Sequence, residues 1–302
     1  MGEATGVELN AINVKVFGMS DMGLVRKNNE DNFVVCNLTT GEMGLTPPLR
    51  AHTLGSHGSL FMVADGMGGE ASGEVASQIC AHTVPKRLHE NLSSLDQVSE
   101  EDFVLLLRES IEYANQIIHQ KAQGDPIYRG MGTTATVAAL FGPCLFVAQV
   151  GDSRAYLIRH NELTQLTRDQ TFLNYLKEIG VEVPNDPEMD SRKSILTQAV
   201  GSSESVNVKV TYTKVRQDDS LLLCSDGLYN MVPAADILAA VTGTETLASK
   251  CVVLIDKANA NGGSDNITVV MAEFSGPGLP SAASTAGVEF KEYKREDMMR
   301  QL

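Results

Sequence analysis

Short apolar runs rich in strand-forming residues recur along the chain, and glycine, proline or asparagine residues separate them. Examples are NVKVFG, NFVVCN, SLFMVADG, CLFVAQVGD, SLLLCSDG and NITVVMAEF. Runs of this length between turn residues, with many β-branched side chains, are typical of β-strands. The pattern therefore predicts a protein built around β-sheet.

Three consecutive predicted strands are joined by very short links. TTATVAALF turns at Gly142-Pro143 into CLFVAQV, which turns at Gly151-Asp152 into RAYLIR. Parallel neighbours need a crossover of a dozen or more residues, so links this short join only antiparallel strands. The links predict an antiparallel meander and exclude a doubly wound parallel sheet.

Helical periodicity lies between the strands. Residues 72–91 place Val75, Ile79 and Val84 on one face, and Pro85 is expected to kink or end that helix. Further helical stretches are predicted at 101–122, 233–242 and 245–260. Strands grouped in hairpins, with helices in separate pairs, predict an α+β fold with helices outside an antiparallel sheet.

The composition divides the chain into one large domain and a tail. We predict a single domain over 8–274, with a Pro/Gly-rich loop insertion at about 39–58 and a mixed helix-and-loop segment at about 168–200. SGPGLPSAASTAG then begins at residue 275 and leads into a charged terminus. We therefore expect a linker and a flexible charged tail over 275–302.

Charge and hydropathy narrow the possible functions. The chain has 24 Lys and Arg against 38 Asp and Glu, a net charge of −14. Such a chain is a poor match for nucleic acid or an anionic lipid surface, which recruit basic proteins. No apolar run is long enough for a membrane span, and the first residues lack the pattern of a secretory signal. We expect a cytoplasmic protein that binds neither nucleic acid nor membrane.

The five cysteines are widely spaced and lie mostly within apolar runs. They are Cys36, Cys80, Cys144, Cys224 and Cys251. No CxxC pair is present, which excludes zinc ribbons and thiol redox motifs. We expect reduced, buried cysteines, consistent with a cytoplasmic location.

Acidic residues stand at the ends of several predicted strands. They are Glu30, Asp31, Asp65, Asp152, Asp226 and Asp265. Because the end of one strand and the start of its antiparallel neighbour share a sheet edge, these carboxylates can converge. Clustered carboxylates need protons or cations, and oxygen ligands without His or Cys suit Mg²⁺ or Mn²⁺. The alternative is that the Asp-Gly pairs only close turns and cap helices.

Seven motifs in a fixed order make the interpretation specific. They are LVRKNNEDNF, VADGMGGEASGE, GMGTTA, VGDSRAY, LTRD, CSDGL and SDNITVV. This order resembles the protein phosphatase 2C family of metal-dependent Ser/Thr protein phosphatases, in its bacterial form, over roughly residues 12–274. The resemblance implies a four-layer αββα sandwich of two antiparallel sheets flanked by helices. It makes 8–274 the catalytic domain and 168–200 its flap.

The resemblance also implies a centre of two core Mn²⁺ or Mg²⁺ ions. Asp65 would bridge the two ions and the Gly66 carbonyl would bind one of them, while Asp226 and Asp265 would bind the other. These carboxylates, together with Arg26, would form the catalytic set.

The remaining residues of the motifs have outer roles by the same resemblance. Glu30 and Asp31 would hold metal-bound waters or ligate through them. Asp152 would bind a third, weaker ion together with Asp226. Arg26 would clamp the substrate phosphate, for which the planar guanidinium is well suited.

The implied reaction is hydrolysis of phosphoserine and phosphothreonine in proteins by a bridging metal hydroxide, with no covalent phosphoenzyme. The partners would be phosphorylated proteins and a Ser/Thr kinase whose action the enzyme opposes. Two alternatives remain open: a non-enzymatic family member that only binds phosphoprotein or metal, and a phosphatase for small phosphoesters.

The chain departs from the family pattern at three positions. Met67 follows Asp-Gly where many eukaryotic relatives have a histidine proposed as general acid, so a metal-bound water is expected to protonate the leaving group. Gln170 follows LTRD, where histidine is usual, and Gln198 stands where bacterial relatives often carry arginine. The last two differences concern the flap and leave the metal centre intact.

Overall fold

The computed structural model describes residues 10–68, 72–181, 192, 195–281 and 287–293. The strands are β1 Asn13–Asp21, β2 Asp31–Asn37, β3 Ala51–Thr53, β4 Ser59–Met67, β5 Gly132–Thr133, β6 Ala135–Phe141, β7 Cys144–Val150, β8 Arg154–Arg159, β9 Glu162–Gln165, β10 Lys209–Lys214, β11 Ser220–Cys224, β12 Ile267–Ser275 and β13 Lys291–Glu292. The helices are α1 Pro47–Arg50, α2 Ser72–Ser93, α3 Glu100–Gly124, α4 Phe172–Glu178, α5 Asp226–Tyr229, α6 Ala234–Val241 and α7 Leu247–Ala260.

Within these residues the strands form two antiparallel sheets. The first sheet has the order β3-β1-β12-β11-β8-β9. The second has the order β13-β10-β7-β6-β4-β2, with β5 paired to β4 outside that path. The predicted continuous meander is wrong at one link. The hairpins β6–β7 and β8–β9 are present, but the Gly151-Asp152 turn carries the chain from the second sheet to the first, so β7 and β8 are not paired.

Three apolar layers hold the sheets and helices together. Along β4, Phe61 and Val63 face the layer between the two sheets, whereas Leu60, Met62 and Ala64 face the helices outside. Helices α2 and α3 cover the second sheet, and α6 and α7 cover the first. Since both faces of such a strand are buried, its sequence is continuously apolar rather than alternating. The architecture is the predicted αββα sandwich.

Helix α2 continues through Pro85 to Ser93, so of the two predicted outcomes, a kink or an end, it does not end at the proline. The reason is packing: Ala81, Val84 and Leu88 on both sides of Pro85 are buried in the layer against the second sheet. This burial offsets the roughly 3 kcal/mol that an internal proline costs a helix.

Two segments predicted to be irregular contain ordered structure. The 39–58 insertion holds α1 and β3, and β3 pairs with β1 at the edge of the first sheet. In the 275–302 segment, β13 pairs with β10 and Tyr293 packs edge-on against Tyr212. Within the described residues 287–293 an ordered strand thus stands where the composition predicts a flexible tail, because the second sheet can bury the apolar side chains there, whereas residues 282–286 and 294–302 of that prediction lie outside the described residues.

The cysteines agree with the expectation of buried thiols. All five cysteines are free and buried. Among the helices of the described residues, none combines the length and the apolar character that crossing a membrane needs.

Candidate active site

The predicted carboxylates meet at one end of the sandwich. Glu30, Asp65, Asp152, Asp226 and Asp265 line one cleft of about 730 Å³, together with Arg26 and Gly66. Strands of both sheets contribute, since β4 belongs to the second sheet whereas β11 and β12 belong to the first. Residues up to about 235 positions apart in sequence thus face the same space.

Asp31 lies behind the cleft wall, directly across from Asp65 in the β2–β4 ladder. It is buried, and its Oδ2 accepts hydrogen bonds from Ser225 Oγ and Thr268 Oγ1, both at 2.7 Å. Its Oδ1 is buried and has no partner among the described residues. Burial, partly offset by those two hydroxyls, raises the pKa of Asp31 to about 7. Such an oxygen needs a proton, a water or a cation.

The backbone of Asp65 is held on both sides by threonines. Its N–H donates to Thr134 Oγ1 at 2.9 Å, and its carbonyl accepts from Thr134 N at 2.8 Å and Thr133 Oγ1 at 2.9 Å. Burial, followed by the charges of Asp31 and Asp226, raises the pKa of Asp65 well above its usual value. These contacts place a carboxyl with a strong affinity for cations or protons at the floor of the cleft.

Asp226 begins helix α5 immediately after β11, and its carboxyl is in hydrogen-bond contact with that of Asp65. Its Oδ2 also accepts from Asn230 Nδ2 at 3.1 Å. Burial, followed by the charge of Asp265, raises the pKa of Asp226 to about 6. Three of the predicted carboxylates thus share one electrostatic environment.

Position 66 has room only for glycine, because neighbouring backbone atoms crowd it. A Cβ at this position would lie 2.2 Å from the Gly73 carbonyl oxygen and 2.6 Å from that of Glu30. The Gly66 N–H also donates to the Glu30 carbonyl at 3.2 Å. A side chain here would push β4 away from the Glu30–Asp31 segment, so the Asp-Gly pair keeps the cleft wall closed.

Asp152 is buried at the cleft edge, in the turn between β7 and β8. Its carbonyl accepts from the Tyr229 hydroxyl at 3.2 Å. Burial, followed by the charge of Asp226, raises the pKa of Asp152 to about 7. Tyr229 is itself held by Arg154, whose guanidinium lies 3.6 Å from the ring centroid and binds both carboxylate oxygens of Asp169.

Arg26 extends over the opening of the cleft. Its Nη2 lies 2.7 Å from Asp265 Oδ2, and its side chain is 53% exposed. The hydrogen bond to Asp265 raises the pKa of Arg26, so the guanidinium remains charged. The other oxygen of Asp265 accepts from the Asn266 N–H at 2.8 Å.

The donor set fits divalent cations. Among the described residues, no three His, Cys, Asp or Glu side chains are already arranged to hold a single ion. Mg²⁺ and Mn²⁺ suit such a cleft, because Mg²⁺ in particular keeps several waters and takes only one or two carboxylates directly. The unpartnered Asp31 Oδ1 and the raised pKa values show an excess of negative charge that cations would neutralise.

Several residues that support the site lie inside the recognised motifs but were given no role from the sequence. Asn266 accepts from the Glu30 N–H at 2.8 Å and donates to the Met22 and Asn28 carbonyls, both at 2.9 Å. Ser225, Thr268 and Thr134 hold Asp31 and Asp65 as described above. The sequence feature that could have identified these residues is their position close to the acidic residues within the same motifs. Of the six histidines, none lines the cleft among the residues described there.

Known proteins match both the sequence and the fold. The family model of protein phosphatase 2C matches residues 50–251. The serine/threonine phosphatase stp of Listeria monocytogenes is 34% identical over 254 residues, 84% of this chain and 93% of that protein.

Two solved structures extend the comparison. The serine/threonine phosphatase of S. agalactiae has a TM-score of 0.73 at 30% identity, covering 86% of this chain and 99% of its own. The catalytic domain of the serine threonine protein phosphatase PstP, in complex with two manganese ions, has a TM-score of 0.67 at 33% identity, covering 88% and 100%. With this coverage and these motifs, the chain belongs to the protein phosphatase 2C family and is a protein serine/threonine phosphatase.

Proposed function

We propose that this enzyme hydrolyses phosphoserine and phosphothreonine in proteins with the help of two divalent cations, Mn²⁺ or Mg²⁺, and that it opposes a Ser/Thr kinase. The observation that carries the proposal is the cleft itself. Five carboxylates and one exposed arginine line it, and a sixth carboxylate behind its wall has a buried oxygen that finds no partner among the described residues.

The residues divide into groups by their position. Asp65 would contact both ions, with the Gly66 carbonyl on one ion and Asp226 and Asp265 on the other. When bound, the ions would lower the pKa of water in the cleft so that it can act as the nucleophile at neutral pH, and they would neutralise phosphate charge.

The outer carboxylates complete this arrangement. Glu30 and Asp31 would orient waters around the ions, and Asp31 Oδ1 has a free lone pair for that purpose. Asp152 is buried beside Asp226, and these two would hold a third and weaker ion.

Arg26 would bind the phosphoryl group. Its exposed side chain can exchange the Asp265 carboxylate for phosphate oxygens, which the guanidinium contacts bidentately. There it would stabilise the charge on the equatorial oxygens as the bond to the leaving oxygen breaks. Since no histidine lines the described cleft, water would protonate the leaving seryl or threonyl oxygen.

We also propose that residues 8–274 form the catalytic domain and that the enzyme acts in the cytoplasm. Five buried free cysteines support a reducing compartment, because oxidising compartments favour disulfides. A phosphatase for small phosphoesters is the competing possibility, and an extended substrate distinguishes the two.

The test is phosphate release from a phosphothreonine peptide, with Mn²⁺ and with excess chelator. We expect turnover only with the metal, and a kcat/KM well above that for free phosphoserine. Full turnover in chelator would contradict the metal-dependent reaction. Equal kcat/KM for the peptide and the free amino acid would favour a small-molecule substrate.

A further inference from the structure

Gln170, directly after the LTRD motif, holds both backbone groups of Gly151. Its N–H donates to the Gly151 carbonyl at 3.1 Å, and its side-chain Oε1 accepts from the Gly151 N–H at 2.7 Å. Its Nε2 also donates weakly to the Gln149 carbonyl at 3.4 Å. One residue of the flap thus closes the turn that presents the neighbouring Asp152.

Gln170 packs against one side of the Gly151 turn, and Thr134 closely approaches the other side. Gly151 has φ +97°, and a Cβ there would lie 2.7 Å from Thr134 Cγ2. Thr134 in turn holds the Asp65 backbone. The Asp152 turn therefore sits between Thr134 and Gln170, and a loss of the Gln170 acceptor would leave the buried Gly151 N–H unsatisfied.

A second amide connects Gln170 to the end of the flap. Gln198 Nε2 donates to Gln170 Oε1 at 2.8 Å and to the Asn207 carbonyl at 2.9 Å, while Gln198 Oε1 accepts from the Asn207 N–H at 3.0 Å. The Thr197 N–H donates to the Gln170 carbonyl at 2.8 Å. Gln170 Oε1 thus accepts two hydrogen bonds at once, and both come from uncharged donors.

We propose that Gln170 is a positioning residue that holds Asp152 in the catalytic cleft through Gly151, with Gln198 as the link that holds Gln170. This inference rests on the proposed function, because it assigns to Asp152 the weakest cation and a role in turnover. The inference gives the flap and Arg26 different roles. Gln170 affects turnover through Asp152, whereas Arg26 affects the binding of the phosphate.

The test compares two substitutions of nearly equal size. Gln170→Met keeps the length and volume of the side chain but removes the acceptor, whereas Gln170→Glu keeps an acceptor for both donors. Gln123→Met makes the same change on the exposed end of α3 and is the matched control. All variants are assayed as full chains for kcat and KM on a phosphothreonine peptide, and for Mn²⁺ binding by calorimetry.

For Gln170→Met we expect kcat to fall about 10- to 100-fold with little change in KM, as for residues that orient metal ligands. The weakest Mn²⁺ step should lose about tenfold in affinity while the tighter steps remain, which also shows that the protein is folded. Gln170→Glu and Gln123→Met should stay within about threefold of the wild type. Gln198→Met should have a smaller effect than Gln170→Met, because the Gly151 N–H keeps its acceptor.

A double-mutant cycle with Asp152→Asn separates positioning from general destabilisation. If Gln170 acts through Asp152, adding Gln170→Met to Asp152→Asn should lower kcat by less than about twofold. Full additivity overturns the inference, as does equal damage by Gln170→Met and Gln170→Glu.

Two outcomes keep this test distinct from that of the proposed function. If the wild type releases no phosphate from any peptide, the proposed function fails, and the Mn²⁺ titration of Gln170→Met still decides the positioning role. If no Mn²⁺ step of the wild type responds to Asp152→Asn, Gln170 has no metal ligand to position and the inference is wrong.

Discussion

The two ends of the β8–β11 strand pair bury charge in opposite ways. At one end, Asp152 precedes β8 and Asp226 follows β11, and both face the cleft. At the other end, about 20 Å away by strand length, Arg159 closes β8 and Asp219 precedes β11. Both ends belong to the same two strands, so the sheet does not explain the difference.

At the end without the cleft, the buried Arg159 and Asp219 pair with each other. Asp219 accepts from Arg159 Nε at 2.9 Å and Nη2 at 2.6 Å, and from the Arg216 N–H at 2.8 Å. Arg159 also donates to the Lys214 carbonyl at 2.9 Å and to the Gly287 carbonyl at 3.3 Å. The cleft end instead leaves Asp31 Oδ1 without a partner in the described part of the chain, and burial there raises carboxyl pKa values. A buried carboxylate that is fully paired supports the fold, whereas one that is left short of partners indicates a place for a ligand.

The largest expected effect comes from removing the central carboxylate of the cleft. Asp65→Asn should lower kcat/KM on a phosphothreonine peptide by at least about 10³-fold, because it would weaken the binding of both proposed cations, whose charge stabilisation would be worth several kcal/mol. The same substitution should not lower the melting temperature in chelator, since it removes a charge that is costly to bury. Retained activity, or a marked loss of metal-free stability, would contradict the contrast between the two ends.

The next largest effect is expected at the Arg159–Asp219 end, where a substitution should lower stability and leave activity unchanged. Asp219→Asn leaves the Arg159 charge buried without its partner and should cost about 3–5 kcal/mol of unfolding free energy. Urea unfolding measures this, and kcat of the folded fraction should be unchanged. Glu292→Gln is the control, because it breaks the half-exposed Lys209–Glu292 pair and should cost less than about 1 kcal/mol. A similar small cost for both variants would mean that the buried pair contributes no more than a surface one.

The same two ends show how far the sequence could predict the molecule. The antiparallel strand pairing follows from apolar runs joined by short turns, the division into two stacked sheets follows only from the family resemblance, and the convergence of acids follows from their places at strand ends. The Arg159–Asp219 pair was not predicted, because its partners lie 60 positions apart and neither belongs to a recognised motif. Side-chain partners across strands depend on register, and the sequence pattern alone leaves register open.

Residues 287–293 of the C-terminal segment show the same limit of the sequence pattern. Charged residues and a preceding linker suggest a flexible tail, yet Val288 packs in the layer between the sheets and Thr213 Oγ1 donates to the Glu289 carbonyl at 2.7 Å. A segment of seven described residues has too short a pattern to reveal a docking strand. The open edge of β10, which receives it, is apparent only once the sheet order is known.

An effect of intermediate size on kcat/KM is expected at the cleft opening. There Arg26 pairs with Asp265 at the surface, unlike the buried Arg159–Asp219 pair. Arg26→Ala should lower kcat/KM on a phosphopeptide about 10- to 150-fold, from one charge-assisted contact of roughly 1.5–3 kcal/mol. Most of this loss should appear as a higher KM, because the phosphate is charged in the ground state and in the transition state. The adjacent Lys27→Ala should have a much smaller effect if the planar guanidinium is what matters. Equal losses for both variants would reduce the role of Arg26 to general positive charge.

The smallest expected effect is a dependence of metal-free stability on pH. Burial raises the pKa of Asp31 and Asp152 to about 7 and that of Asp226 to about 6, so the folded protein holds protons that the unfolded chain has released. Stability from these groups is complete below the unfolded pKa near 4 and is lost as the pH rises through 6 to 7. His52 acts in the opposite direction at the lower pH values, because burial lowers its pKa.

In chelator, the melting temperature should therefore fall by several degrees between pH 6.5 and pH 8, because three carboxyl groups outweigh the single opposing contribution of His52. Added Mn²⁺ should remove most of this fall, because cations replace the protons on the same carboxylates. Scanning calorimetry of the wild type and of Asp219→Asn at these two pH values separates the ends of the strand pair. The slope with pH should be the same in both, since it arises at the cleft end, and a slope that disappears in Asp219→Asn would place its origin at the paired end instead.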